Sequence, residues 1–265
     1  MDDVLAKINR ANKHIGDLES LWAACGKAHP NGLRVERDPQ SGEVHCFVED
    51  LTPIPVEISL IAGDAIQNLR SALDYLACGM VEKIDPTKVN TQTSFPIFKS
   101  EVDYANPKDG VTRKVPGLSL VAMQKLDMLQ PYKGGHENLW ILHSLNNIDK
   151  HRLLLTVGLD VDIRTLLPSE KATLSAKFVI GNPNAQFLKF EGMFMNFVQP
   201  KTFSPLKVGD KLFTLAASDA DENMQLAIDV AINERDILRG VPLVLILRII
   251  SAEVSSIARD FEPFL

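Results

Sequence analysis

The sequence predicts an α+β fold, in which a bundle of about five helices is combined with a small N-terminal β-hairpin and an antiparallel sheet inserted before the C-terminal helix. Towards both ends of the chain, apolar residues recur every three or four positions, which places them on one face of a helix. Between about 153 and 235 the period changes to two, the spacing of strands with one covered face. Because the connections between these runs are too short for crossover helices, we expect the strands to be antiparallel.

The N-terminal part is predicted to be a helix followed by the hairpin. Two alternating runs, 33–37 and 43–48, flank Asp38-Pro39-Gln40-Ser41-Gly42, a segment typical of a turn because of its proline and glycine. His14 is expected on the exposed face of the helix. The apolar stripe of that helix consists of Val4, Ile8, Ala11, Ile15, Leu18, Trp22 and Cys25.

The remaining elements follow from the same two periods. Asp85-Pro86 should end the second helix, since proline disfavours helical backbone in the residue before it. Residues 87–116 contain three prolines and are predicted to connect helices, with 95–98 extended against an apolar surface. The further helices are expected at about 55–83, 119–129, 137–151 and 243–261. The strands are expected within 153–163, 174–180, 187–198, 212–216 and 224–232.

We predict a single domain over 1–265, because the chain shows no repeat and no linker-like composition. Its helical core should comprise 1–152 and 236–265, and its antiparallel sheet 153–235. The sequence has 34 acidic and 28 basic residues, a formal charge of −6 and a pI near 5.5. No global positive field therefore attracts nucleic acid, so RNA would have to bind through a local basic patch.

Location is predicted from the cysteines and from the apolar runs. Three cysteines without metal-type spacing are typical of a reducing compartment, and the N-terminal residues do not form a signal peptide, so we expect a cytoplasmic protein without disulfides. The longest apolar run, 241–250, is interrupted by Arg248 and is about half as long as a bilayer span. We therefore expect no membrane association. A homo-oligomer is compatible with the sequence.

The second predicted helix carries a narrow polar band. Between Ser59 and Val81 it contains no Lys and no Glu, the residues that usually occupy a solvated helical face. Two interpretations remain, a solvated face and a covered seam of hydrogen-bonded side chains. The band consists of Glu57, Asp64, Asn68, Ser71 and Tyr75, with Gln67, Arg70 and Asp74 beside it.

The fourth predicted helix is apolar in nearly every direction and is expected to be buried. His143, Asn147, Lys150 and His151 nevertheless form one polar stripe, which must be paired or functional. Alternatively, His143 and Asn147 are satisfied hydrogen bonders, while the last cationic residues, including Arg152, offset the helix dipole. If the two polar bands face each other, Asp64 or Asn68 should lie close to a residue of this stripe.

Three segments resemble a widespread set of bacterial and phage proteins to which no function has been assigned. These segments are GDAIQNLRSALDYL at 63–76, LQPY at 129–132 and LNNIDKHR at 145–152. Members of the set often have His at the position of Tyr75, and the resulting Arg-x-x-x-x-His is similar to the catalytic motif of HEPN ribonucleases. The resemblance implies that Arg70 stabilises a phosphate and that the ribose 2′-hydroxyl is activated without a metal. A phenol with a reference pKa near 10 is a poor general base, so that role would fall to His143 or His151.

Three classes of function follow from these residues. The first is a HEPN-like RNA-binding protein or ribonuclease, and the second is a non-catalytic binding or scaffold protein whose motif residues form a structural seam. The third is a metal-dependent hydrolase with Glu57, Asp64, His143 and His151 as ligands. We predict no cofactor and no metal, and RNA as the partner. The candidate catalytic residues are Arg70, Asp74, Tyr75 and His151, and the candidate binding residues are Asp64, Asn68, His143, Asn147, Asp149, Lys150 and Arg152.

Overall fold

A computed structural model of the chain confirms the α+β class. It describes residues 1–151, 155, 157–165, 174–176, 195–196, 206–215, 225–234 and 237–265. The helices of this part are α1 (Asp2–Ala28), α2 (Val56–Ile84), α3 (Glu101–Tyr104), α4 (Val111–Lys114), α5 (Leu120–Leu129), α6 (Glu137–His151) and α7 (Leu243–Phe261). Its strands are β1 (Gly32–Arg37), β2 (Val44–Asp50), β3 (Val157–Thr165), β4 (Leu174–Ala176), β5 (Met195–Asn196), β6 (Lys211–Leu215), β7 (Gln225–Glu234) and β8 (Leu238–Pro242).

Helix ends follow the capping residues in the sequence. As predicted, α2 ends at Ile84, before Asp85, whose side chain caps a short 3₁₀ helix. Helix α5 begins after Ser119, whose hydroxyl accepts a hydrogen bond from the backbone N–H of Ala122, and ends at Gln130 with φ of 51°. Helices α3 and α4 lie within the segment that the sequence predicts as a connection. The sequence does not reveal them because four residues are too few to show a helical period.

The described strands form two antiparallel sheets, ordered β1-β2-β6-β5 and β4-β3-β7-β8. The predicted hairpin is present, and its second strand also pairs with β6, so that Cys46 lies opposite Phe213. Strand β8 precedes α7 and pairs with β7. It therefore belongs to a sheet, although it lies in the range predicted for the helical core. Residues 177–194, which include most of one predicted strand and the end of another, lie outside the described residues.

The chain divides into two compact units. The first unit comprises 1–18, 59–155 and 244–265, and the second comprises 19–58 and 156–243. Both sheets belong to the second unit, and the first of them includes the hairpin. The sequence predicts this hairpin within the helical core. The prediction of a single domain over 1–265 is not decided by this division and stays a prediction.

The core of the first unit is formed by the predicted helical stripes. The first five residues of the α1 stripe are buried, and Leu69, Leu73, Leu76 of α2 and Leu247 of α7 are inaccessible to solvent. His14 is also buried, at 8% exposure, so its predicted surface position is wrong. Its spacing of three from Ala11 and four from Leu18 places it on the buried face.

All three cysteines are free thiols. Among the helices of the described residues, none has the length and the apolar character required to cross a bilayer.

Candidate functional site

Arg70 and Asp74 form an ion pair on α2, in which the guanidinium is buried and the carboxylate is half-buried. They lie one turn apart, and Nη2 of Arg70 donates to Oδ1 of Asp74 at 2.7 Å. The same Nη2 donates to the carbonyl oxygen of Phe95 at 2.8 Å, while Oδ1 of Asp74 accepts from the backbone N–H of Phe95 at 2.9 Å. Arg70 is only 5% exposed. The pair therefore binds both backbone groups of a residue in the segment that follows α2.

The bound segment packs into the first unit. Phe95 and Ile97 are buried, in agreement with the predicted apolar surface under 95–98. The ring of Phe95 meets that of Phe261 edge to face, with centroids 6.2 Å apart, and the N–H of Ser94 donates to the carbonyl of Lys114. The ion pair thus holds a segment that contributes to the core.

Tyr75 lies away from the buried ion pair. Its side chain is 45% exposed, and the ammonium group of Lys7 lies 5.6 Å from the centroid of its ring. Five residues along a helix change the direction of a side chain by about 140°. In this structure the exposed phenol of Tyr75 and the buried guanidinium of Arg70 lie on different sides of α2.

His143 of α6 is a largely covered, neutral imidazole. Burial, together with the positive charges of Arg70, Lys114 and Lys150, lowers its pKa from 6.5 to about 4. The amide Nδ2 of Asn147 lies 3.1 Å from Nε2 of His143. The other ring nitrogen, Nδ1, is buried and has no hydrogen-bond partner among the described residues.

Asn146 is the buried asparagine of α6, and the sequence analysis did not select it. It is 2% exposed, whereas Asn147 is exposed. Its Oδ1 has no hydrogen-bond partner in the described part of the chain. A signal was present, because Asn146 lies four residues after Leu142 and therefore on the apolar side of the helix.

Helices α2 and α6 approach each other closely at Gly63. A Cβ atom at this position would lie 2.5 Å from Oδ1 of Asp149. Burial raises the pKa of Asp149, and the charge of Asp64 raises it further. The predicted contact between the two helices is therefore present, but it is made by the glycine and by Asp149.

Several side chains of the two polar bands are exposed to solvent and do not form a covered seam. Glu57, Asp64 and Asn147 are exposed, as expected for a wet face. Nδ2 of Asn68 donates to the backbone carbonyl of Asp64, within its own helix. The seam interpretation therefore holds only for the buried guanidinium of Arg70 and its partners.

The close approach at Gly63 gives a stability prediction whose sign depends on Asp149. Gly63→Ala should destabilise the parent by about 1–2 kcal/mol because the methyl group displaces the carboxylate. In an Asp149→Ala background the same change should stabilise by about 0.5–1 kcal/mol, since alanine is the better helix former. Urea titration measures both. The matched control is Gly16→Ala in α1, where no atom lies within 4 Å of the new Cβ. Equal effects in both backgrounds would contradict the contact.

Of the three candidates at the end of α6, only Lys150 is fully described. Lys150 is exposed at the end of α6. His151 is the last residue of that helix, and its side chain is outside the description, as is the whole of Arg152.

Among the residues that the structure describes, no three His, Cys, Asp or Glu side chains form a group that would hold a metal ion. Glu57, Asp64 and His143 therefore belong to no metal-type cluster in that part.

Comparison of the chain with protein-family models, with curated proteins and with solved structures gave no match.

Proposed function

We propose that this chain is a non-catalytic binding protein, in which the motif residues of α2 and α6 mainly stabilise the first unit. The observation that carries the proposal is the pair of backbone hydrogen bonds to Phe95, one from Arg70 and one to Asp74. Arg70 uses its Nη2 for this purpose and is almost completely covered. Such an arginine fixes the backbone segment that it binds, and too little of its guanidinium is exposed to contact a substrate.

Neither of the two candidate bases whose side chains are described, Tyr75 and His143, suits catalysis beside Arg70, which supports the same proposal. Tyr75 is on the exposed side of α2. The pKa of His143, lowered to about 4 by burial and by neighbouring cations, makes its imidazole a weak general base at neutral pH. We also propose a cytoplasmic location, because three free cysteines are typical of proteins in a reducing compartment.

HEPN-like RNA binding is the second candidate. It is favoured by the three cations that act on His143, namely Arg70, Lys114 and Lys150. Phosphate contacts to such cations would supply affinity that is strongest at low salt. The exposed Lys150 is the one whose loss should reduce this affinity without disturbing the core.

Two variants and two readouts separate these candidates. Asp74→Ala should accelerate hydrogen exchange of the Phe95 amide more than that of the Leu73 amide, because it removes the acceptor of Phe95. Lys150→Glu should leave both amides unchanged. Under the proposed function, neither variant alters fluorescence anisotropy of a labelled single-stranded RNA at low salt. RNA affinity in the parent that Lys150→Glu abolishes would favour the second candidate, and unchanged Phe95 exchange in Asp74→Ala would contradict the first.

A further inference from the structure

Strand β1 forms one edge of its sheet in the second unit, because β2 is its one partner among the described strands. The outer side of an edge strand presents backbone N–H and C=O groups that an added strand can bind. The four residues from Arg34 to Arg37 are all exposed. This edge is therefore accessible to a further strand.

The hydrogen bonds of β2 show which residues of β1 have outward backbone groups. The N–H of Val48 donates to the carbonyl of Asp210, and the carbonyl of Val48 accepts from the N–H of Gly209, so both groups point away from β1. In an antiparallel pair, residues that bond to the facing strand alternate with residues whose groups point away, and two opposed residues behave alike. Leu33 lies opposite Val48. The backbone groups of Leu33 and Val35 therefore point outwards from the edge.

The side chain of Val35 extends an apolar surface beyond the edge. Val35 lies opposite Cys46 of β2, and Cys46 is buried together with Val44 and Val48. Directly opposed residues of antiparallel strands share one face of the sheet, so Val35 lies on this apolar face. It is nevertheless 65% exposed. A strand added at the edge would cover it.

We propose that β1 pairs antiparallel with β1 of a second copy of this chain, about a two-fold axis at Val35. In this register Val35 lies opposite the partner's Val35, and the outward groups of the two residues exchange both of their hydrogen bonds. Arg34 then lies opposite the partner's Glu36. These two positions do not bond across the axis, and opposed side chains approach most closely at such positions. The contact lies in the second unit and does not depend on the proposed function.

The charges of β1 favour this register and a second copy as the occupant. An axis at Arg34 would place two arginines opposite each other, and an axis at Glu36 would place two glutamates opposite each other. Like charges in this position destabilise a strand pair, whereas opposite charges stabilise it. Arg34 and Glu36 already form an ion pair along β1, so two copies would join their pairs into a square of alternating charges. Such self-complementarity is what a two-fold contact requires.

Sedimentation velocity of the full chain at increasing concentration tests whether the dimer forms. Val35→Lys should weaken dimerisation by about tenfold or more, since a charge at the centre of an edge blocks strand addition. Val208→Lys, at a valine of the same unit with 64% exposure, is the matched control and should dimerise like the parent. A parent that is still monomeric at about 1 mM would overturn the inference and leave the edge to an extended segment of another protein. A dimer that Val35→Lys does not weaken would overturn it as well.

Charge exchange tests the register. Arg34→Glu and Glu36→Arg each place like charges opposite in a dimer of one variant, so each should weaken dimerisation by about tenfold or more. An equimolar mixture of the two variants restores both opposite-charge pairs and should form a heterodimer with the affinity of the parent. Circular dichroism checks that both variants are folded. Folded variants that remain monomeric in the mixture, or that dimerise alone as the parent does, would overturn the inference.

Discussion

Asp74→Ala is expected to lower the free energy of unfolding by about 3–5 kcal/mol, as the loss of one partner does in other buried ion pairs. Arg70 is 5% exposed, so the variant leaves a charged guanidinium without a carboxylate. The variant also removes the acceptor of the Phe95 N–H. Both losses act on buried residues, since Arg70 is 5% and Phe95 is 1% exposed.

Arg70→Ala should have the smaller effect, about 1–3 kcal/mol. The side chain of Asp74 is 30% exposed, so water can hydrate its carboxylate after the arginine is removed. The unpaired carbonyl of Phe95 accounts for most of the remaining loss. Urea titration of the two variants measures this order directly, and a larger loss for Arg70→Ala would contradict it.

The chain provides a matched control for this pair. Lys13 and Asp17 also lie four residues apart on a helix, at 2.6 Å, but their side chains are 61% and 45% exposed. Asp17→Ala should leave the free energy of unfolding unchanged within error, since solvent replaces the lost contact. If both aspartates behaved alike, burial would not be the cause of the effect of Asp74.

The sequence predicts the helical elements well because their signals are local. The apolar stripe of α1 has a helical period, and the structure buries its first five members, from Val4 to Leu18. Ser119 and Asp85-Pro86 determine their helix ends through contacts within a few residues. Likewise, the spacing of Arg70 and Asp74 predicts their pairing.

Long-range partners are the part that the sequence does not predict. Nothing in the pattern around Phe95 indicates that its backbone binds the pair on α2, because 21 and 25 residues separate the partners. The pairing of β2 with β6 is equally non-local. Asn146 was missed for a different reason, since the polar stripe of α6 was drawn through its exposed neighbour Asn147. Periodicity shows which face of a helix is apolar, but it does not show which polar side chain is buried on that face.

His143 should make the fold sensitive to acid. Burial, assisted by the positive charges of Arg70, Lys114 and Lys150, lowers the pKa of this residue from 6.5 to about 4 in the folded state. Between these values the unfolded chain binds the proton more readily than the folded chain does. The stabilising contribution is therefore complete above pH 6.5 and is lost as the pH falls through 6.5 towards 4, by about 3 kcal/mol in total.

The measurement compares urea titrations at pH 7 and pH 5 for the parent and for His143→Gln, whose amide keeps a hydrogen-bonding group opposite Asn147. The parent should lose about 2 kcal/mol more than the variant over this range, because glutamine does not titrate. Asp149 acts in the opposite direction, since its raised pKa makes protonation favour the folded state, but it is present in both proteins and cancels in the comparison. His29→Gln, at an exposed position, is the control and should retain the pH dependence of the parent. Equal losses in the parent and in His143→Gln would mean that the imidazole is hydrated or paired in the folded state.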